Sequence, residues 1–174
     1  MAERPKWHQP PKYQLAFDYG AHAVEASSAD ELRFTYAVKE EVAVRSPADA
    51  GRYLLHQVYT PFAAFDQEEA WVLLLNHKYR ITHQSMLYRG TINLINMRVA
   101  EIFKPAVRFN AAAIVLSHVH PSGDPTPSPE DIAVSQAIQA AGKVLQVEVV
   151  DHLVVGRNCW WSLREHQQAF AEMP

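Results

Sequence analysis

Cysteine is nearly absent from this chain of 174 residues, which contains only Cys159. One thiol cannot form an internal disulfide, so a disulfide-stabilised scaffold is excluded and a reducing compartment is favoured. No apolar run is long enough to cross a membrane. The first eleven residues are polar and proline-rich, which is not typical of a signal peptide. We therefore expect a cytoplasmic protein with no membrane partner.

An excess of positive charge is also lacking. The chain has 16 lysines and arginines against 19 acidic residues, and its formal net charge is −3. This balance does not drive binding to nucleic acid, although a local basic patch stays open. The length and the apolar content of 48% fit one domain with a sizeable core.

The chain divides into three parts. Residues 1–45 form an N-terminal extension that is partly irregular, with one expected strand at 32–38 that could join the sheet or extend a dimer edge. Residues 46–166 form the main domain, and residues 167–174 are a tail. A homodimer is one expectation from this extension.

Alternating helix and strand patterns fill the main domain. Pro105 should kink its helix or end the regular bonding there, and Gly142 should end the last helix. The order α-ββ-α-β-α-ββ predicts an α/β sandwich. The predicted elements are helix 46–58, strands 71–75 and 79–87, helix 97–109, strand 111–116, helix 128–141, and strands 144–155 and 159–163.

Two histidines at the end of an apolar strand are the most informative feature. Side chains two residues apart on a strand point to the same face, so His118 and His120 can bind one ion together. Asp131 follows after a loop rich in proline and glycine. Two imidazoles and one carboxylate are the ligands of a catalytic zinc site whose fourth position is open. We predict one Zn²⁺ per chain.

The same segment begins a helix. Ser128 is the expected N-cap, Pro129 takes the first helical position, and Asp131 lies in the first turn, where an acid suits the helix dipole. Capping and metal binding are compatible, because a fixed first turn aims the carboxylate. The Ser128 hydroxyl would then lie beside the open position and could stabilise an oxyanion. Asp124 is interpreted as a turn residue.

A zinc hydrolase also needs a general base. Glu68 and Glu69 precede the first apolar strand, and strand alternation lets only one of them face the site. The residues alone leave this choice open. Glu101 and Glu130 are weaker alternatives.

Two other zinc enzymes are excluded by residue type. A zinc deaminase needs a His-x-Glu and a Pro-Cys-x-x-Cys motif, which a single cysteine cannot supply. A metallo-β-lactamase-like nuclease needs Asp and His after the histidine pair, where this chain has Ser122 and Gly123.

Over about residues 46–165, this chain resembles the RadC-like branch of the JAMM/MPN+ (JAB domain) metallopeptidase superfamily. The resemblance is carried by the stretch from His118 to Asp131, and four flanking segments support it. Those segments are residues 68–76, 88–91, 110–113 and 151–156.

The resemblance implies a cytidine-deaminase-like α-β-α sandwich with a mixed sheet. It implies zinc bound by His118, His120 and Asp131, with Ser128 supporting the intermediate and Glu68, rather than Glu69, as the base. Superfamily members cleave peptide or isopeptide bonds and often release ubiquitin-like modifiers, so a protein or peptide substrate is expected.

The N-terminal extension departs from this family. Full-length RadC-like proteins usually carry a helix-hairpin-helix region suited to DNA, and residues 1–45 lack its pattern. We interpret the chain as a stand-alone catalytic form, with a DNA-repair-associated or scaffold protein as the alternative. Asp151 and His152 are expected to lie outside the ligand set.

Overall fold

The computed structural model describes residues 22–23, 34–39, 42–90 and 97–170. The strands are β1 (His22–Ala23), β2 (Thr35–Ala37), β3 (Glu68–Leu75), β4 (Ile81–Gly90), β5 (Ala113–Val119), β6 (Glu148–Gly156) and β7 (Cys159–Ser162), and the helices are α1 (Pro47–Tyr53), α2 (Val99–Arg108) and α3 (Pro129–Leu145). A π-helical turn, Leu54–Val58, extends α1, and a short 3-10 turn, Phe62–Ala64, precedes β3.

The strands form one mixed sheet of seven, in the order β1-β2-β4-β3-β5-β6-β7. Only β5 and β6 run parallel, and all other neighbours are antiparallel. A parallel pair needs a long crossover, which α3 provides between β5 and β6. The chain therefore returns across the sheet immediately after the His-x-His pair.

Helices cover both faces of the sheet. Along β3, Trp71 and Leu73 belong to a core that also contains Leu54 of the turn extending α1. The intervening Val72 and Leu74 belong to a second core, formed with α2 and α3. Because successive strand residues face opposite sides, a continuous apolar strand is buried by both helical layers. The predicted α-β-α sandwich with a mixed sheet is confirmed.

The prediction that Gly142 ends α3 is wrong. The helix continues to Leu145 and is capped by Gln146 in the left-handed conformation. Gly142 is buried, and a Cβ there would lie 2.6 Å from the Val147 carbonyl oxygen and 2.8 Å from the Val149 side chain. Close packing of the helix on the start of β6, and not helix termination, is the reason for this glycine.

Other element ends also differ. Strand β5 extends to Val119, beyond the predicted end at residue 116, and β6 begins at Glu148 because α3 is longer than predicted. Pro105 does not end α2, which continues to Arg108. In the expected strand at 32–38, Thr35–Ala37 pairs with β4, and residues 32–33 lie outside the described residues. Among the described residues, no helix is long and apolar enough to cross a membrane.

Candidate metal centre

The histidine pair lies at the carboxyl end of β5, a central strand of the sheet. His118 is the sixth residue of β5 and is fully buried, and His120 follows the strand end with partial exposure. The carboxyl ends of β5 and β6 meet there, which is where open α/β sheets place their ligand sites. The first turn of α3 brings Asp131 to the same place.

The three predicted metal ligands lie together. The Nε2 atoms of His118 and His120 are 3.0 Å apart. Asp131 Oδ1 lies 3.2 Å from His118 Nε2, and its Oδ2 lies 3.8 Å from His120 Nε2. Zinc bonds of about 2.0–2.2 Å at tetrahedral angles separate ligand atoms by roughly 3.3 Å. This group of donors therefore fits a zinc-sized ion with little rearrangement.

The hydrogen bond to the other nitrogen of His120 fixes its form. His120 Nδ1 lies 2.9 Å from the Asp124 carbonyl oxygen. A carbonyl only accepts a hydrogen bond, so Nδ1 carries the hydrogen. Nε2 of the neutral ring then has a free lone pair, which faces His118 Nε2 and the Asp131 carboxylate. The Asp124 side chain accepts from the Thr126 backbone and hydroxyl, as a turn residue does.

Asp131 caps its helix and faces the histidines at once. Its Oδ2 accepts from the Ser128 backbone at 2.8 Å and from the Ser128 hydroxyl at 2.6 Å, and its own backbone N–H donates to Ser128 Oγ at 3.1 Å. Burial alone would raise the pKa of Asp131, but the interactions with His118 and Ser128 hold it well below its usual range. Because Oδ2 accepts two hydrogen bonds from Ser128, the carboxylate is favoured in the ionised form that a metal ligand needs.

The strand register separates the two glutamates. Ala70 of β3 pairs with His118 of β5, and directly paired residues share a face of the sheet. Glu68, two residues earlier, therefore lies on the face of His118. Glu69 lies on the opposite face, where its carboxylate accepts from the Trp71 indole N–H at 3.1 Å.

Glu69 is tied into a structural contact. Arg89 Nε lies 3.3 Å from Glu69 Oε1, and the Glu69 side chain is almost fully buried. Burial raises the pKa of Glu69, against the opposing effects of the Trp71 hydrogen bond and the Arg89 charge. These contacts support Glu68 over Glu69 at the site.

The weaker base candidates lie on the helices. Glu101 of α2 forms an exposed ion pair with Arg98 at 2.8 Å. Glu130 is exposed in the first turn of α3. Among the described residues, the group of possible ligand atoms consists of His118, His120 and Asp131, so these two glutamates lie outside it, as Glu68 does.

Two further polar residues lie behind the ligands. His152 is fully buried on β6, and its Nε2 is 2.9 Å from His118 Nδ1. Its Nδ1 contacts the hydroxyl of Ser135, which our sequence analysis did not identify. Ser135 is four residues after Asp131 on α3, a spacing that places two helix residues on one face and could have revealed it. Burial holds the pKa of His152 well below its usual range.

The loop after the histidines packs against the turn between β6 and β7. The Gly123 N–H donates to the His120 carbonyl, and its own carbonyl accepts from the Arg157 N–H at 3.0 Å. Gly123 has φ +89°, which favours glycine. A Cβ on Gly156 would lie 2.3 Å from the Gly123 carbonyl oxygen. Two glycines thus allow the close approach that holds the loop over the site.

Known proteins are similar to this chain in sequence. A family model described as "RadC-like JAB domain" matches residues 44–168. A UPF0758 protein of Chloroflexus aurantiacus is 44% identical over 134 residues, covering 77% of this chain and 57% of the relative. UPF0758 proteins of Desulforudis audaxviator and Bacillus cereus are 36% and 34% identical, each over 83% of this chain and covering 62% and 66% of themselves. The chain thus spans less than two thirds of the length of these relatives.

Proposed function

The chain belongs to the RadC-like JAB domain family, and from this membership and the geometry of the metal centre we propose that it is a zinc-dependent metallopeptidase or isopeptidase. The observation that carries the proposal is the convergence of the two histidine Nε2 atoms, 3.0 Å apart, with the Asp131 carboxylate. Its Oδ1 lies 3.2 Å from His118 Nε2, and its Oδ2 lies 3.8 Å from His120 Nε2. Three protein ligands leave a fourth position open, which distinguishes a catalytic zinc site from a structural one.

His118, His120 and Asp131 would hold the zinc. When bound, zinc lowers the pKa of water and polarises a carbonyl group, so that a peptide bond can be hydrolysed at neutral pH. Glu68 acts as the general base. It accepts the proton of the attacking water and passes it to the leaving amine, a role supported by its position on the His118 face of the sheet.

Ser128 stabilises negative charge on the scissile carbonyl oxygen. Its hydroxyl now donates to Asp131 Oδ2 at 2.6 Å. Rotation about its Cβ–Oγ bond would redirect that hydrogen to the substrate oxygen, and the Ser128 backbone N–H would keep its own bond to Asp131 at 2.8 Å. The capping box keeps the hydroxyl beside the metal ligands before any substrate binds.

The substrate we propose is a protein or peptide, with a ubiquitin-like modifier on an isopeptide bond as one form. Nucleic acid is not the proposed partner, because the net charge is −3. Action in the cytoplasm and formation of a homodimer are parts of the same proposal.

Replacement of the proposed base tests the reaction. Glu68→Gln should reduce peptide or isopeptide hydrolysis by about 10²–10⁴-fold while leaving zinc bound, because the amide keeps the size of the side chain but cannot accept the proton. A panel of peptide, isopeptide-linked ubiquitin-like and DNA substrates gives the rates, and metal analysis gives the zinc content.

Glu69→Gln is the matched control. It makes the same chemical change one residue away on the opposite face and should keep near wild-type turnover. Full activity of Glu68→Gln would contradict its role as base. A wild-type protein that binds zinc and cleaves nothing in the panel would instead favour a scaffold role.

A further inference from the structure

His152 is a buried imidazole that the proposed reaction does not use. It pairs with Leu116 in the parallel register of β5 and β6, and this places its side chain on the face that carries His118. Its Nε2 lies 2.9 Å from His118 Nδ1, and its Nδ1 contacts the Ser135 hydroxyl. One protein-facing nitrogen of a metal ligand is therefore bonded to a second, fully buried histidine.

The donor and acceptor in each of these hydrogen bonds follow from the bond that Ser135 makes to Asp131. Ser135 Oγ donates to the Asp131 carbonyl oxygen at 2.6 Å, and a carbonyl only accepts. The one hydroxyl hydrogen of Ser135 is used there, so the contact with His152 needs the hydrogen on His152 Nδ1. The described partners of His152 are an imidazole and a hydroxyl, neither of which is negatively charged, so a buried ring is favoured in its neutral form.

A neutral His152 with its hydrogen on Nδ1 has only a lone pair on Nε2. His118 Nδ1 must then donate to it, and His118 Nε2 is left without a hydrogen. That bare Nε2 lies 3.2 Å from Asp131 Oδ1 and 3.0 Å from His120 Nε2. The hydrogen bonds form a chain through β5, β6 and α3, from His118 through His152 and Ser135 to the backbone carbonyl of Asp131.

We infer that His152 and Ser135 are positioning residues that hold His118 with its hydrogen on Nδ1 and aim its free Nε2 at the metal. This inference rests on the proposed zinc site. In His120, the hydrogen is held on Nδ1 in the same way by the backbone carbonyl oxygen of Asp124, 2.9 Å away. The two ligands thus differ in kind, because one is oriented by the main chain and the other by a replaceable side chain.

The direct test is the hydrogen position in the wild-type, metal-free chain. Long-range ¹H–¹⁵N correlation spectra of ¹⁵N-histidine protein at neutral pH separate Nδ1–H from Nε2–H rings. We expect both His118 and His152 to carry their hydrogen on Nδ1. A His118 ring protonated on Nε2 would overturn the inference.

Two variants of His152 test the effect on the metal. His152→Phe keeps a ring but removes both nitrogens, and should weaken zinc binding by about 10–100-fold. His152→Gln can accept from His118 and donate to Ser135, and should recover most of the affinity. Competition with a chromophoric chelator measures both, and circular dichroism checks that each variant is folded.

Equal zinc affinity of the Phe variant and the wild type would overturn the inference. If that variant does not fold, the wild-type spectrum decides alone. Failure of the proposed function is a separate result, since it would appear as an absence of zinc or of hydrolysis in the wild type. The hydrogen position of metal-free His118 depends on neither.

Discussion

Asp151, next to His152, is a carboxyl group buried away from the metal centre. Its oxygens accept from the Ser162 hydroxyl at 2.6 Å, the His152 N–H at 2.7 Å and the Arg164 N–H at 3.2 Å. Burial raises its pKa to about 6, although all three hydrogen bonds act in the opposite direction. The carboxyl group joins β6 to the end of β7 and to the segment that follows it.

The contribution of Asp151 to stability should fall as pH rises. A carboxyl whose pKa rises from about 3.9 in the unfolded chain to about 6 in the folded protein binds its proton more tightly when folded. This stabilisation is complete below the unfolded pKa and is lost as pH rises through about 6. The shift corresponds to about 3 kcal/mol.

Denaturant unfolding of metal-free wild type and Asp151→Asn at pH 4 and pH 7 measures this effect. The stability of the wild type relative to the variant should decrease between the two pH values, because the other titrating groups are common to both proteins. Asp66→Asn, at an exposed carboxyl, is the control. A difference that stays constant, or increases with pH, would contradict the raised pKa.

At the scale of the element, α1 and α3 begin with the same device. Ser46 and Asp49 form a capping box at the start of α1, as Ser128 and Asp131 do at the start of α3. In both boxes the aspartate Oδ2 accepts from the serine backbone and hydroxyl. Only the box at α3 includes a candidate metal ligand. A comparison of equivalent serine variants in the two boxes therefore separates the effect of capping on stability from an effect on hydrolysis.

Ser46→Ala and Ser128→Ala should each destabilise the metal-free protein by about 1 kcal/mol, because each removes one cap. Only Ser128→Ala should also reduce hydrolysis, by about 10²-fold or more, because only this hydroxyl is proposed to reach the substrate oxygen. Denaturant unfolding and turnover on a cleaved substrate measure the two effects. Equal turnover of the two variants would remove Ser128 from the reaction.

At the scale of the whole molecule, the candidate metal centre joins elements that are distant in the chain. The end of β5 supplies two candidate ligands, α3 supplies the third, and β6 supplies the histidine behind them. An ion bound there would link these elements only in the folded protein. Zinc binding should therefore stabilise the fold as a whole.

The purified chain should contain one zinc per molecule by elemental analysis. Chelation should lower the melting temperature, and free zinc at 100 times its Kd should restore about 2.7 kcal/mol. His118→Ala should abolish both responses, whereas His77→Ala, at an exposed turn, should keep them. A chelator without effect on the wild type, or an absence of zinc, would contradict the proposed centre.

Much of this architecture was predictable because local patterns decided it. Apolar periodicity identified the order of helices and strands, and the Ser128–Asp131 spacing identified a helix start and predicted a metal ligand. The end of α3 was not predictable from local rules, since a glycine near the end of a helix usually signals termination. Gly142 is instead required by close packing, because an added Cβ would lie 2.6 Å from the carbonyl oxygen of Val147, which directly precedes β6.

The sequence by itself determined the types and spacing of the candidate ligands, because a strand places His118 and His120 on one face and a capped helix fixes Asp131. Only the tertiary structure assigned the two glutamates to opposite faces relative to His118, since the pairing of Ala70 with His118 is a contact between strands. It also brought His152 to His118 and Ser135 to His152. Those contacts depend on how a parallel strand and a helix pack, which local sequence does not encode.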